Sequence, residues 1–91
     1  MTKAEIVNEI SRSAVIEKSV VQTVLEEFME SVRRSVIDGE PVFLRGFGSF
    51  VVKQRAEKTA RNISKGTTIK VPAHKVPMFK PARVFVESIK Q

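Results

Sequence analysis

Lysine and arginine are the most abundant ionisable residues of this 91-residue chain, with 16 of them against 10 acidic residues. The chain has one histidine, His74, and no cysteine, so it has no pair of imidazoles and no thiolate to act as nucleophile or metal ligand. Its serines are not set in a Gly-x-Ser-x-Gly elbow, and Gly46-Phe47-Gly48 is too short for the dinucleotide-binding fingerprint. We therefore predict neither an enzyme nor a bound metal or cofactor, and we interpret His74 as an exposed side chain.

The positive charge lies in the second half of the chain. Residues 1–45 carry six basic and eight acidic side chains, a net −2, whereas residues 46–91 carry ten basic and two acidic ones, a net +8. Such a split is typical of a protein whose basic half binds a polyanion. Solvated lysines are the plainer interpretation of a charged stretch. The basic half also contains the part of the chain with the fewest apolar residues, which favours a binding surface.

The stretch of residues 53–74 is basic and poor in large apolar residues. A strand-like run follows Gly66, and a turn is predicted over residues 62–66. Two strands with so little apolar surface cannot cover a core, so we predict a basic β-ribbon arm that projects from the body. Its basic residues are Lys53, Arg55, Lys58, Arg61, Lys65 and Lys70.

All six aromatic residues are phenylalanines, and none lies between residues 53 and 75. Proteins that bind single-stranded nucleic acid interleave exposed aromatic side chains with basic ones, so that bases can stack on them. The predicted arm has no such platform. The phenylalanines are therefore predicted to form the core and a subunit interface, and the arm is predicted to contact the backbone and grooves of a duplex.

Ile63 is a bulky apolar residue at the predicted tip of the arm, where its neighbours are polar or basic. A single exposed apolar residue is common and needs no function. Proteins that bind the minor groove, however, insert apolar side chains between base steps, while arginine and asparagine contact the groove nearby. Arg61 and Asn62 directly precede Ile63, so both interpretations stay open on the residues alone.

Two helices are predicted in the N-terminal half. Thr2-Lys3-Ala4-Glu5 has the form of a capping box and begins a helix over residues 3–13. A second helix begins between residues 17 and 19 and ends at Asp38-Gly39, where glycine provides the stop. Its apolar residues form one stripe, which predicts a core or subunit-interface helix rather than one that lies on a membrane. The stripe consists of Val21, Val24, Leu25, Phe28, Val32 and Val36.

After Pro41 the apolar pattern changes to the period of two that is typical of strands. Strands are predicted over residues 42–45 and 49–55, joined by a tight Gly-Phe-Gly turn that inserts Phe47 into a core. Residues 77–81 contain two prolines, which predicts a connector into a short helix near residues 82–90. No run is long and apolar enough for a membrane span, and the N-terminus has no signal-peptide pattern, so we expect a cytoplasmic protein.

Three motifs connect these elements to a known family. They are Gly46-Phe47-Gly48-Ser49-Phe50, Arg55-Ala56-Glu57-Lys58 with Arg61-Asn62, and Val76-Pro77-Met78-Phe79-Lys80-Pro81. Together they resemble the bacterial HU and integration host factor family, and the resemblance extends over essentially the whole chain. The family implies an α+β fold with a helical N-terminal half, a three-stranded antiparallel sheet with a long β-ribbon arm, and a short C-terminal helix. It also implies an intertwined dimer whose two arms bind the minor groove of duplex DNA.

One departure from the family lies at the tip of the arm. The family has a proline after Arg-Asn as its intercalating wedge, and this chain has Ile63 followed by Ser64-Lys65-Gly66. Isoleucine keeps the apolar bulk, but it lacks the fixed φ of proline and adds an N–H group that needs a partner. We expect Ile63 to act as the wedge and Lys65 to add a phosphate contact.

We predict a single HU-like domain over residues 1–91, with a helical dimerisation part and first strand (1–45), a sheet and DNA-binding arm (46–81) and a C-terminal helix (82–91). We expect a histone-like, nucleoid-associated homodimer that binds, bends and compacts duplex DNA largely without sequence specificity. A heterodimer, an integration-host-factor-like subunit with preferred sites, a structured-RNA binder and a module for an acidic protein partner stay open, and no membrane partner is expected. The residues predicted to contact DNA are Lys53, Arg55, Lys58, Arg61, Asn62, Ile63, Lys65, Lys70, Lys75, Lys80 and Arg83.

Overall fold

The computed structural model describes the backbone of residues 1–62 and 66–90, and the side chains of all of these except residues 60–62 and 67. The chain divides into two compact units, residues 1–34 and residues 35–91. Helices and strands follow in the order α1 (Lys3–Ala14), α2 (Lys18–Ile37), β1 (Val42–Leu44), β2 (Gly48–Arg55), β3 (Lys58–Asn62), β4 (Thr67–Val71), β5 (His74–Pro81) and α3 (Arg83–Ile89). This order confirms the predicted α+β class.

Helix α1 begins as the capping box predicts and runs one residue longer than expected. The hydroxyl of Thr2 accepts a hydrogen bond from the backbone N–H of Glu5 at 3.3 Å, which satisfies one of the free donors of the first turn. The helix ends at Ala14 and is capped by Val15, which has φ 57° and ψ 53° and donates its N–H to the carbonyl of Ser11. Among the described residues, Val15 is the only non-glycine residue with a positive φ.

Helix α2 is formed within one residue of its predicted ends. Val21 and Val36 of its apolar stripe are buried, whereas Val24 is 63% exposed and Phe28 is 39% exposed. The chain therefore covers only part of this stripe. Along the described part of the chain, the buried hydrophobic core consists of Val7, Val21 and Val36.

The unit of residues 35–91 contains a three-stranded antiparallel sheet in the order β1-β2-β5. The predicted connector at residues 77–81 is wrong, because these residues form most of β5, with Pro77 opposite Val52 and Pro81 opposite Gly48. Proline is tolerated here because β5 is an edge strand, where alternate backbone N–H groups face away from the neighbouring strand. The predicted C-terminal helix is confirmed as α3.

The Gly-Phe-Gly turn between β1 and β2 places Phe47 in a cluster of aromatic rings, but Phe47 is 46% exposed, so the prediction that it enters a core is wrong for the single chain. Gly46 has φ 79°, a left-handed conformation that favours glycine, and the N–H of Phe47 donates to the carbonyl of Leu44 at 3.0 Å. The ring of Phe47 then lies 5.1 Å from that of Phe79 and 5.6 Å from that of Phe85, between centroids. Phe50 joins the same cluster at 5.0 Å from Phe79.

Strands β3 and β4 form a separate two-stranded antiparallel sheet, which confirms the predicted arm. The arm is shorter than predicted, because Lys53 and Arg55 belong to β2 and His74 belongs to β5 of the three-stranded sheet. Its register pairs Lys58 with Val71 and Asn62 with Thr67. Gly66, which has φ 64°, lies in the predicted turn just before β4. Asn62, the first residue of the predicted turn, is instead the last residue of β3, and residues 63–65 lie outside the described residues.

Candidate nucleic-acid interface

The two long strands of the sheet have one aromatic face and one basic face. Phe50 and Phe79 lie opposite each other in the register, and their rings pack together. Since side chains alternate along a strand, the residues directly before and after Phe50 and Phe79 point to the other side of the sheet. We call that other side the basic face, and it is formed by Ser49, Val51, Lys53 and Arg55 of β2 with His74, Val76, Met78 and Lys80 of β5.

Three of the predicted DNA-contacting residues, Lys53, Arg55 and Lys80, come together on the basic face. All three side chains are exposed, and in the described part of the chain none of them forms an ion pair with a carboxylate. Their charges are therefore available to an anion. The alternation along β2 and the Lys80–Ser49 pairing are what bring these residues to one face.

An open groove of about 300 Å³ runs along the same two strands. It is lined by Lys53, Lys80, Val51 and Met78 of the basic face and by the neighbouring residues Val52 and Gln54. An open groove lined by two lysines suits a large anionic partner that lies on the surface better than a small enclosed substrate.

The arm adds two described cations. Lys70 lies opposite Thr59, and its Nζ forms an ion pair with Oε1 of Glu57 at 3.1 Å, with both side chains largely exposed. Lys58 lies opposite Val71 at the start of the arm. An exposed pair of this kind contributes little to stability, so phosphate can compete with Glu57 for Lys70.

The end of the arm carries the remaining arm residues of the prediction. The backbone of Arg61 pairs with Thr68, and that of Asn62 pairs with Thr67. Ile63 and Lys65, the predicted wedge and its neighbouring phosphate contact, lie outside the described residues. Their roles stay predictions.

Two predicted contacts lie neither on the basic face nor on the arm. Lys75 pairs with Gln54, so it points to the opposite side of the sheet from Lys53. Arg83 begins α3, where its Nε donates to Oε1 of Glu87 at 3.0 Å while its side chain stays 90% exposed. Both remain predictions, and a ligand that contacts them together with the basic face must extend around the edge of the sheet.

One residue of the basic face was missed from the sequence. His74 begins β5 directly opposite Arg55 and is exposed. In the sequence it resembles an isolated surface histidine, because the segment that follows it was predicted to be a connector. Once residues 74–81 are known to form a strand, the alternation of side chains puts His74 on the same face as Met78. That alternation is the signal that identifies His74.

The comparisons with known proteins agree with this geometry. The sequence profile of the family described as bacterial DNA-binding protein matches residues 1–90. This chain belongs to that family. Among curated relatives of the family, the chain is 39% identical over 89 residues to DNA-binding protein HU-beta of Pseudomonas aeruginosa, covering 98% of this chain and 99% of the relative. It is 36% identical over 90 residues to DNA-binding protein HU of Haemophilus influenzae, covering 99% and 100%.

Solved structures of the bacterial DNA-binding protein family share the fold. The Anabaena HU–DNA cocrystal structure matches with a TM-score of 0.92 and 31% identity, over 98% of this chain and 97% of that one. HU of Thermotoga maritima, in its V42I form, matches with a TM-score of 0.75 and 27% identity, over 98% and 99%. The resemblance to the HU family that the three motifs indicate is confirmed.

The described residues offer neither a metal site nor a membrane-spanning helix. Within residues 1–62 and 66–90, no group of three or more histidine, aspartate or glutamate side chains is placed to hold a metal ion. None of the described helices is long and apolar enough to cross a membrane.

Proposed function

We propose that this chain is a histone-like architectural protein that binds duplex DNA mainly through the minor groove and bends and compacts it. The observation that carries the proposal is the basic face, on which Lys53, Arg55 and Lys80 gather exposed charge beside a basic arm in a chain of the bacterial DNA-binding protein family. A DNA complex of an HU relative with the same fold supports it.

The binding of DNA is proposed to be mainly electrostatic. Lys53, Arg55 and Lys80 of the basic face and Lys58 and Lys70 of the arm would neutralise phosphates and release the counterions condensed on them. Lys65, Lys75 and Arg83 are proposed as additional phosphate contacts. Because these contacts read charge and not base identity, they support binding that is largely independent of sequence.

The tip of the arm is proposed to enter the minor groove. Arg61 and Asn62 precede Ile63, and together they have the composition of groove-contacting polar residues beside an apolar wedge. Unstacking a base step kinks the duplex, and the bent duplex can then contact more of the protein. We propose that Ile63 replaces the family's proline in this role.

The active form is proposed to be a homodimer. The described part of one chain buries only three hydrophobic residues, yet Ile37 is 74% exposed and Phe43 is 73% exposed. Surface of this kind is stable in water when a second copy covers it. We assign residues 1–45 to dimerisation and the first strand, 46–81 to the sheet and the DNA-binding arm, and 82–91 to the C-terminal helix.

A binding role without catalysis is proposed, in a cytoplasmic, nucleoid-associated protein. The relatives described above are named as DNA-binding proteins. They carry the HU name, which favours an HU-like role over that of an integration-host-factor-like subunit with preferred sites.

A salt titration with three ligands tests the proposal. The purified protein is titrated with a random duplex, a pre-bent or nicked duplex of the same length, and an RNA duplex, at several salt concentrations. A complex that neutralises roughly 6–10 phosphates loses about 10³–10⁵ in affinity between about 50 and 200 mM salt. We expect that slope on DNA, with tighter binding to the pre-bent or nicked duplex. A flat slope, or equal binding to RNA, would contradict an architectural DNA-binding role.

A further inference from the structure

His74 lies where the sheet meets the arm, among the cations of the basic face. It is the first residue of β5 and pairs with Arg55, while the next pair on the same face is Val76 with Lys53. Directly opposite residues of an antiparallel pair share a face and have their Cβ atoms about 5 Å apart. The imidazole is exposed, so it is accessible to a ligand that binds to Lys53 and Arg55.

A hydrogen bond fixes which ring nitrogen meets that ligand. The Nδ1 atom of His74 lies 3.0 Å from the carbonyl oxygen of Pro72. A carbonyl oxygen can only accept, so Nδ1 carries a proton in the neutral ring as well as in the charged one. In the neutral ring Nε2 is then an acceptor that repels a phosphate oxygen, and in the charged ring it is a donor that binds one.

We propose that His74 is a further DNA-contacting residue, which binds phosphate through Nε2–H in its protonated form and makes the grip of the basic face dependent on pH. The inference rests on the proposed function, since it needs a polyanion on this face. Histidine is the side chain whose ordinary charge change falls between about pH 5 and 8.

The groups around His74 determine the direction of the effect. Arg55 and Lys53 face it from β2, Lys75 follows it on the opposite face, and the Gln54 amide donates to its backbone carbonyl at 3.5 Å. The nearby carboxylate in the sequence, Glu57, is paired with Lys70. Bound phosphate favours the charged imidazole. We therefore expect DNA to bind more tightly at low pH than at high pH.

Two variants of the full chain test this through affinity for a random DNA duplex at about pH 5.5 and about pH 8. His74→Gln keeps a polar side chain that does not titrate, and His74→Lys supplies a charge at both pH values. An exposed charge–phosphate contact is worth about threefold in affinity per protomer, or about tenfold for a dimer. We expect the wild-type protein to gain about that factor at low pH, H74Q to lose most of the gain, and H74K to bind tightly at both pH values.

A direct titration gives a second readout. Because the chain has one histidine, its imidazole proton resonance in an NMR spectrum is unambiguous. We expect its titration midpoint to move to higher pH in the DNA complex. An unmoved midpoint, or the same pH dependence of affinity in the wild type and H74Q, would overturn the role of His74 while DNA binding stands. Failure of all three proteins to bind duplex DNA at either pH would instead overturn the proposed function.

Discussion

A Cβ atom on Gly48 would lie 2.5 Å from the Cζ atom of Phe79 and 2.5 Å from the backbone oxygen of Lys80. Gly48 is the buried first residue of β2 and pairs with Pro81. The absence of a side chain lets β5 and the ring of Phe79 close over the start of the strand. In the same register, Lys53 and Lys80 lie on the basic face.

We expect Gly48→Ala to destabilise the protein by about 1–3 kcal/mol, the usual range for inserting a methyl group into a packed site with no space for it. Backbone and an aromatic ring must both shift, so the strain has no easy relief. Urea unfolding measures the change. Ser49→Ala, at the next residue, should stay within about 0.5 kcal/mol. Equal stability of G48A and the wild type would mean that the backbone and the ring of Phe79 shift at this point without a cost in free energy.

Val15→Gly is expected to stabilise the protein by about 0.5–1 kcal/mol. Val15 is a β-branched residue with φ 57°, a conformation that costs non-glycine residues about 1–2 kcal/mol. Its side chain is 88% exposed, so its removal sacrifices little packing. Ala14→Gly is the matched control, because Ala14 has helical dihedral angles at the last position of α1 and glycine there should cost up to about 1 kcal/mol. Thermal unfolding should therefore move in opposite directions for the two variants, and a shared direction would contradict the strain at Val15.

The helices and the arm follow from local patterns, whereas the basic face does not. Thr2 and Glu5 cap α1, and Gly39 ends α2, through contacts within a few residues, so sequence predicts them well. Strand β5 carries Pro77 and Pro81, and its strand state depends on pairing with β2, which is distant in the sequence. That long-range register also decides that Lys53 and His74 share a face. The sequence contains the charges but not the side of the sheet to which each belongs.

The ion pair between Lys3 and Glu26 should make stability depend on pH. Their side chains lie 3.1 Å apart, and the hydrogen bond from Lys3, together with one from Gln22, lowers the pKa of Glu26 below its ordinary value of 4.5. A lowered pKa means that the carboxylate stabilises the fold above 4.5 and that this contribution disappears as pH falls through the lowered value. We expect Lys3→Gln to reduce the midpoint of thermal unfolding at neutral pH and to match the wild type at strongly acidic pH. A constant difference at all pH values would assign the effect to helix propensity instead.

Neutralising single cations of the basic face should weaken DNA binding in a way that the salt dependence identifies. For Lys53→Gln, Arg55→Gln and Lys80→Gln we expect the slope of log affinity against log salt to decrease by about 0.9 for each phosphate that the variant no longer neutralises. Arg12→Gln removes an equal charge from α1 and is the control for net charge alone. If R12Q lowers the slope as much as the other three variants, the basic face has no special role and overall charge explains the binding.

Ile63 should affect the bending of DNA more than its binding. An apolar wedge contributes a kink of roughly 20–90° by unstacking a base step, and the unstacking cost offsets much of the contact energy it gains. We therefore expect Ile63→Ala and Ile63→Asp to straighten the bound duplex, measured as a longer end-to-end distance by FRET or slower ring closure.

Lys65→Gln is the matched control, because removing one phosphate-binding charge should weaken binding and leave the bend in place. Ile63→Pro restores the family's residue and should keep the bend. Unchanged bend angles in I63A and I63D would show that the charges of the arm, and not a wedge at its tip, bend the DNA.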